Sequence, residues 1–399
     1  MDVSTDSLRQ HLIDPEICAR CNGCEEACRQ NAILHDANNY VVDPARCAQC
    51  GDCMSACSTG AIDNWRIVPA TAAYSLEQQL AWQRLPEPLI ADPSLTGAAL
   101  DATPAATAFL KPRRPASAAP AAVNRYSRES PANLKVRSNE RLTTPADGAE
   151  VRHIVLECDT DSFPVREGQS VGIVPPGVDE AGRPHHVRLY SVASAHDGEI
   201  AGSPTFALTV KRVLQDHHGV PVRGVCSNFL CDRPAGTPVR VSGPVGETFL
   251  VPEEPGAPLL MICTGTGIAP MRAMLQRRLR LNDADRDDLM LFYGGRTPQE
   301  LPYLQEIEAI SPALLDRNIA YSRLAGQAKR YVQDLVIERA SDVARMIVER
   351  RATIYLCGLK SMERGIRDAL SEVLATTGDG WSALEGELIA AGRFHVEVY

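Results

Sequence analysis

No run of apolar residues in this chain reaches the length of a bilayer core, so a membrane-spanning helix is not expected. The opening residues, Met1 to Gln10, carry Asp2, Asp6 and Arg9 and lack the apolar segment of a secretory signal. Positive charge is short as well. The formal net charge is -9, without a concentrated basic patch to offset phosphate repulsion, which disfavours a nucleic-acid partner. These absences point to the cytoplasm, where thiols stay reduced. Against that background the 13 cysteines argue for metal ligation before disulfides. The 399 residues, 44% of them hydrophobic, exceed what one core organises, so two or three domains are expected.

The first segment repeats itself. Asp14, Pro15, Cys18, Cys21, Cys24, Ala27, Cys28, Ala32 and Ile33 recur in one ungapped register as Asp43, Pro44, Cys47, Cys50, Cys53, Ala56, Cys57, Ala61 and Ile62, which marks a duplicated unit. Residues 86–122 are dominated by Ala and Pro, lack the periodicity of a buried element and read as a flexible tether. Further on, short β-rich runs at 153–158, 205–213 and 238–241 are separated by Gly/Pro turns, as in a small antiparallel barrel. Beyond Pro258, apolar strands at 259–263, 289–293, 319–322 and 354–357 alternate with helical stretches at 269–281, 333–349 and 362–375, the rhythm of a doubly wound parallel sheet. The expected boundaries are 1–68, a linker over 69–130, a barrel domain over 131–252 and an α/β domain over 253–399.

Cys18-x2-Cys21-x2-Cys24-x3-Cys28 and Cys47-x2-Cys50-x2-Cys53-x3-Cys57 resemble the bacterial two-cluster ferredoxins. The resemblance implies an α+β ferredoxin domain with two 4Fe–4S clusters. One would be held by Cys18, Cys21, Cys24 and Cys57, the other by Cys47, Cys50, Cys53 and Cys28, because the fourth thiolate of each run reaches across. The usual proline after the fourth cysteine is Arg29 in one run and Ser58 in the other, a change that alters the turn and removes no ligand. Zinc also binds Cys-x2-Cys pairs, but zinc ribbons do not require four cysteines per run with a longer last step.

Arg188-Leu189-Tyr190-Ser191 lies downstream of Gly168-Gln169-Ser170-Val171-Gly172 and upstream of Gly224-Val225-Cys226-Ser227-Asn228-Phe229-Leu230. Thr264-Gly265-Thr266-Gly267 sits between an apolar strand and a helix, Cys357-Gly358-Leu359 ends another strand, and the chain closes on Glu397-Val398-Tyr399. From about Asn133 to Tyr399 the sequence resembles plant-type ferredoxin–NADP reductase. The resemblance implies an antiparallel β-barrel FAD domain followed by an α/β doubly wound parallel-sheet NADP domain. Arg188, Leu189, Tyr190, Ser191 and Lys211 would bind FAD, with Gly224 and the amides of Val225, Cys226 and Ser227 near its phosphates. Thr264, Gly265, Thr266 and Gly267 would admit the nucleotide pyrophosphate to a helix N-terminus, with Gly358 and Leu359 opposite. Cys263 stands where the family usually has Gly. Ser322, Arg323, Lys329, Tyr331 and Gln333 resemble the 2′-phosphate and adenine site that selects NADPH. Ser191, Cys357 and Glu397 would surround the point where nicotinamide meets flavin, and Tyr399 would cover the flavin until displaced.

The expected chemistry is hydride transfer from NADPH to FAD, followed by single-electron release to the clusters. The module order also resembles reductase components of di-iron oxygenases, which implies an oxygenase as electron acceptor. A fused reductase serving another soluble carrier, or a non-catalytic relay subunit, would use the same motifs; free-standing diaphorase activity separates the relay from the enzymes. Cys158, Cys226, Cys231 and Cys263 read as packing thiols, and His185-His186 and His217-His218 as loop residues.

Overall fold

The computed structural model describes all residues except 1–6, 16, 17, 19, 21, 22, 37, 38, 58–60, 63, 70–72, 87–112, 129, 145–148, 160–162, 179–181, 183, 216–219, 284, 376–379 and 399. Cys21, Tyr399, Ser58 and the His217-His218 pair therefore lie outside the described residues. The chain divides into two compact units, one of residues 1–109 with His186–Leu189 and one of residues 110–185 with 190–399. Among the described residues no helix is long and apolar enough to cross a membrane.

In the first unit β1 (Ser7–Leu12) pairs antiparallel with β4 (Asn64–Pro69), setting His11 opposite Trp65. A hairpin of β2 (Ile33–His35) and β3 (Tyr40–Val42) lies between two one-turn helices, α1 (Gly23–Ala27) and α2 (Asp52–Ala56), each built from a cysteine run. Ile13, Ile33, Val42, Ala61 and Ile62 form a small core together with Cys24 and Cys53. The turn after Cys28 closes without proline: Asn31 N donates to the Cys28 carbonyl at 3.1 Å and Ala32 N to its Sγ at 3.3 Å. Some of the described residues within the stretch expected as a linker carry secondary structure. Helix α3 (Leu76–Ala81) starts on a Ser75/Gln78 capping box, and the Gln79 carboxamide pairs with both backbone groups of Val42 in place of a neighbouring strand. Later in that segment Tyr126 bridges to Gly243.

In the second unit six antiparallel strands run in the order β8 (Arg188–Ser191), β7 (Ser170–Val174), β10 (Pro238–Val245), β5 (Ala132–Arg141), β6 (Val151–Glu157) and β9 (Thr205–Lys211). A Val192–Leu208 bridge and an Ala193 N to Ala207 O bond join the two edges, closing the sheet into the expected barrel. Helix α4 (Val225–Cys231) plugs one end, with Cys226, Leu230 and Cys231 in the barrel core.

The parallel sheet has five strands in the order β13 (Asp316–Tyr321), β12 (Leu289–Gly295), β11 (Leu259–Thr264), β14 (Thr353–Gly358), β15 (Phe394–Val398). Alternation splits β11 between two cores, Leu260 and Ile262 on one face and Leu259, Met261 and Cys263 on the other. Helices α5 (Ile268–Arg280) and α6 (Leu304–Ala309) precede the stretch expected as one helix at 333–349. That stretch is broken into α7 (Val332–Glu338), α8 (Ala340–Ala344) and a π turn. Arg339 sits at the break, its guanidinium drawn to Asp316 and Asn318 of β13 and to Asp342. Then α9 (Lys360–Val373) and α10 (Trp381–Ala390) lead into β15; α6, α10 and β15 are additions to the elements read from sequence.

A buried ion pair joins the barrel to this sheet. Arg272 of α5 donates to Glu199 at 2.8 and 2.9 Å, to the Ala193 carbonyl at 2.7 Å and to Glu306 at 2.8 Å. The Tyr303 hydroxyl, under the Arg272 guanidinium, meets His153 Nδ1 and Thr209 Oγ1 of the barrel. Burial opposes ionisation of Glu199, but the His153 and Arg272 bonds outweigh it and hold the carboxyl down at about 2. Arg272→Met should leave that carboxylate without its main partner and lower stability by about 3–5 kcal/mol in urea unfolding.

Candidate redox centres

The sulfur centre follows from the repeat. Each run contains a one-turn helix that buries its third cysteine, Cys24 in α1 and Cys53 in α2. Cys28, Cys47, Cys50 and Cys53 line one cavity, with His11, Ile33 and Val42 around it. Burial pushes the Cys53 thiol up to about 12, with Cys47, Cys28 and Cys50 adding to the shift. Burial likewise raises Cys47, reinforced by Cys28 and Cys50 after opposition from a backbone bond. On the other side burial pushes Cys18 up to about 11, and its cysteine neighbour there is Cys57. Cys28 thus lies with the second run and Cys57 near Cys18, and the cost of ionising such neighbouring thiols together is what a cationic iron cluster relieves. The four sulfurs line a cavity; among the described residues no three His, Cys, Asp or Glu side chains gather as a single metal ion requires.

The second centre lies where the parallel sheet reverses its order. β11 and β14 are neighbours whose following helices pack on opposite faces of the sheet, the switch point at which such sheets form a ligand crevice. The two loops touch. A Cβ on Gly267 would sit 2.1 Å from the Cys357 carbonyl oxygen, and one on Gly358, at φ 155°, would meet Thr264 Oγ1 at 2.4 Å. No larger residue fits either place. Cys263, Cys357 and Glu397 stand side by side on β11, β14 and β15. From the barrel, Ser191 donates to Glu397 Oε2 at 3.4 Å, and Ser170 donates to Ser191 at 3.3 Å. Burial pushes Glu397 up to about 7 against the Ser191 bond. Burial also raises the Cys357 thiol well above its usual value, with Glu397 and Cys263 adding, so it is a neutral thiol there.

Among the residues expected at FAD, Arg188 and Lys211 are exposed, and Leu189, Tyr190 and Ser191 are partly buried. Gly224 caps α4, and its Val225 is exposed at the first turn, where helix amides point outward. Two of these side chains have structural duties. Cys226 is buried with its Sγ toward the Ile173 carbonyl, and Ser227 Oγ accepts from Val213 N, so any contact they make with phosphate is through the backbone.

Ser322 and Arg323 follow β13, and Arg330 N returns to the Tyr321 carbonyl, bringing Lys329 and Tyr331 back beside them. Arg323, Lys329 and Tyr331 are exposed; Gln333 lies in α7 with its carboxamide against Gly365 of α9. Thr264, Gly265, Thr266 and Gly267 form the turn into α5, and Leu359 is exposed at the start of α9. Sequence reasoning missed Arg296, exposed after β12, whose carbonyl accepts from Arg323 N at 2.9 Å. It also missed Ser170 and His11; the only available signal for Arg296 was a cation directly following a strand's Gly-Gly.

Residues 261–368 match the oxidoreductase NAD-binding domain family, and residues 40–63 match the 4Fe-4S binding domain family. The chain is 38% identical over 271 residues to the cyanelle ferredoxin–NADP reductase of Cyanophora paradoxa, covering 65% of this chain and 74% of that protein. It is 36% identical to the ferredoxin–NADP reductase of Spirulina sp, covering 69% of this chain and 98% of that one. In structure it is similar to ferredoxin–NADP+ reductase from Plasmodium falciparum, with a TM-score of 0.56 and 22% identity over 69% of this chain and 99% of the other.

Because folding raises the Glu397 value from 4.5 to about 7, the stability this group contributes is present below about 4.5 and is lost as pH rises through 7. Glu397→Gln should therefore be less sensitive to pH than the parent across that window, measured by thermal unfolding at several pH values.

Proposed function

Because the chain belongs to the ferredoxin–NADP reductase family, we propose that it oxidises NADPH at a barrel-bound FAD and passes electrons singly through two 4Fe–4S clusters to an oxygenase component. The coarser part follows from membership: an NADP-dependent flavin oxidoreductase of electron transfer, with a 4Fe–4S motif. The acceptor that the module order fits best is the di-iron component of benzoyl-CoA 2,3-epoxidase. This chain would then be the reductase component of that monooxygenase system in aromatic catabolism, working in the cytoplasm. No group on the chain is assigned to CoA or an aromatic ring, which the oxygenase would bind.

The observation that carries the reading is the convergence of Ser191, Cys357 and Glu397 at the crevice between barrel and parallel sheet. FAD, when bound, would take up one hydride and release its two electrons singly. The residues present fit it: a hydroxyl, a neutral thiol and a carboxyl poised near 7 can orient a ring and hold a proton without adding fixed charge. Ser170 directs the Ser191 hydroxyl toward Glu397. Gly267 and Gly358 keep the two loops close enough for nicotinamide to be positioned over that group, and positioning is the main service required. Tyr399 would cover the same face. Arg323, with Lys329, Ser322, Tyr331 and Gln333, would select the 2′-phosphate. Cys18, Cys21, Cys24 and Cys57 would hold one cluster, and Cys28, Cys47, Cys50 and Cys53 the other.

Anaerobically prepared protein should contain iron, acid-labile sulfide and flavin and bleach across the visible range on NADPH titration; colourless protein without labile sulfide overturns the reading. Cys357→Ala should slow NADPH-driven flavin reduction by about 10- to 100-fold with FAD retained, and an unchanged stopped-flow rate removes Cys357 from the site. Benzoyl-CoA epoxidase should accelerate NADPH oxidation, and no acceleration assigns another acceptor.

A further inference from the structure

The cavity that holds Cys28, Cys47, Cys50 and Cys53 has one wall made by a titratable ring that the cysteine motif does not include. His11 is 3% exposed, and its Nδ1 faces Cys53 Sγ at 3.9 Å. Its Nε2 meets the Ile62 carbonyl. A carbonyl only accepts, so Nε2 donates to it and Nδ1 is the ring nitrogen that faces the sulfur.

The placement is built by the sheet. His11 and Trp65 are direct partners across β1 and β4, and their rings stack at 3.9 Å between centroids and 6° between planes. Arg9, exposed, covers the outer face of Trp65 at 4.2 Å, and Gln49 Nε2 donates to the Arg9 carbonyl, tying this strand to the second cysteine run. Sulfur, imidazole, indole and guanidinium thus lie in layers from cavity to solvent.

We propose that His11 is a positioning residue for the cluster held by Cys28, Cys47, Cys50 and Cys53, setting the polarity at the Cys53 sulfur and so its reduction potential apart from that of the other cluster. The inference rests on the cluster reading above. The Nδ1 edge is the polar edge of the ring, and it faces a sulfur that gains negative charge on reduction, so the ring bears directly on the added electron. Trp65 acts through His11 by holding the ring plane.

The test is an EPR-monitored redox titration of the anaerobic holoprotein, with iron and sulfide determined on each sample. His11→Leu, which removes the polar ring edge, should move one of two cluster midpoints and leave the other in place. Trp65→Leu, which leaves His11 but removes its stacking face, should move the same midpoint in the same direction by less. Trp65→Phe, which restores an aromatic face, should return it toward the parent. If His11→Leu fails to take up iron, the two Trp65 variants decide. Parent midpoints in every loaded variant, or equal movement of both clusters, overturn the proposal while leaving the cluster reading intact. Parent protein without an iron–sulfur signal overturns both.

Discussion

Gly267 passes so close to the Cys357 carbonyl that not even a methyl group could stand between them. That contact holds together the two loops on either side of the point where the parallel sheet reverses its strand order. From it follow the adjacency of Cys263 and Cys357, the place of Glu397 on the next strand, and the reach of Ser191 across from the barrel. The barrel in turn is held to the sheet by Arg272, whose guanidinium spends its donors on one barrel carboxylate, one barrel carbonyl and a helix carboxylate. With the Tyr303 hydroxyl beside it on His153 and Thr209, that clamp helps hold Ser191 within reach of Glu397.

The sulfur centre is governed by a different economy. Its unit has a core of few aliphatic side chains, and cysteines complete it. Buried thiols that raise one another's proton affinity make a poor interior by themselves; iron ligation turns the same sulfurs into cross-links. The helix after the second repeat extends this small core, because Gln79 supplies hydrogen bonds where the β2–β3 hairpin has no third strand. Leu76–Ala81 is therefore a helix inside the stretch expected as linker over 69–130: a Ser75/Gln78 cap and one buried carboxamide are signals too short to stand out beside an Ala/Pro-rich stretch.

Much of the architecture was legible. The strands at β11, β12 and β14 and the helices α5 and α9 lie within a few residues of their expected places, since each is a continuous apolar run or a helical period of adequate length. The stretch at 333–349 was misread as one helix because period alone cannot register Arg339 being pulled toward β13. β15 was not expected as a strand: His395 and Glu397 interrupt its apolar character, and burial of His395 against Tyr355 exists only once the sheet is assembled. Tyr399 and Cys21 lie outside the described residues and keep their sequence-based assignments.

By itself the sequence determined which chemistry is available: eight cysteines at ligand spacing, glycines where backbones must approach, a serine in a strand, and a thiol and a carboxyl near strand ends. These are local properties, set by residue type and by distance along the chain. Only the tertiary structure decided which of them meet, because Ser191 and Glu397, or His11 and Cys53, are distant in sequence and become neighbours through strand pairing and sheet closure. It also decided their protonation, since desolvation raises Glu397 and Cys357 according to what surrounds each group after folding, which no sequence spacing encodes.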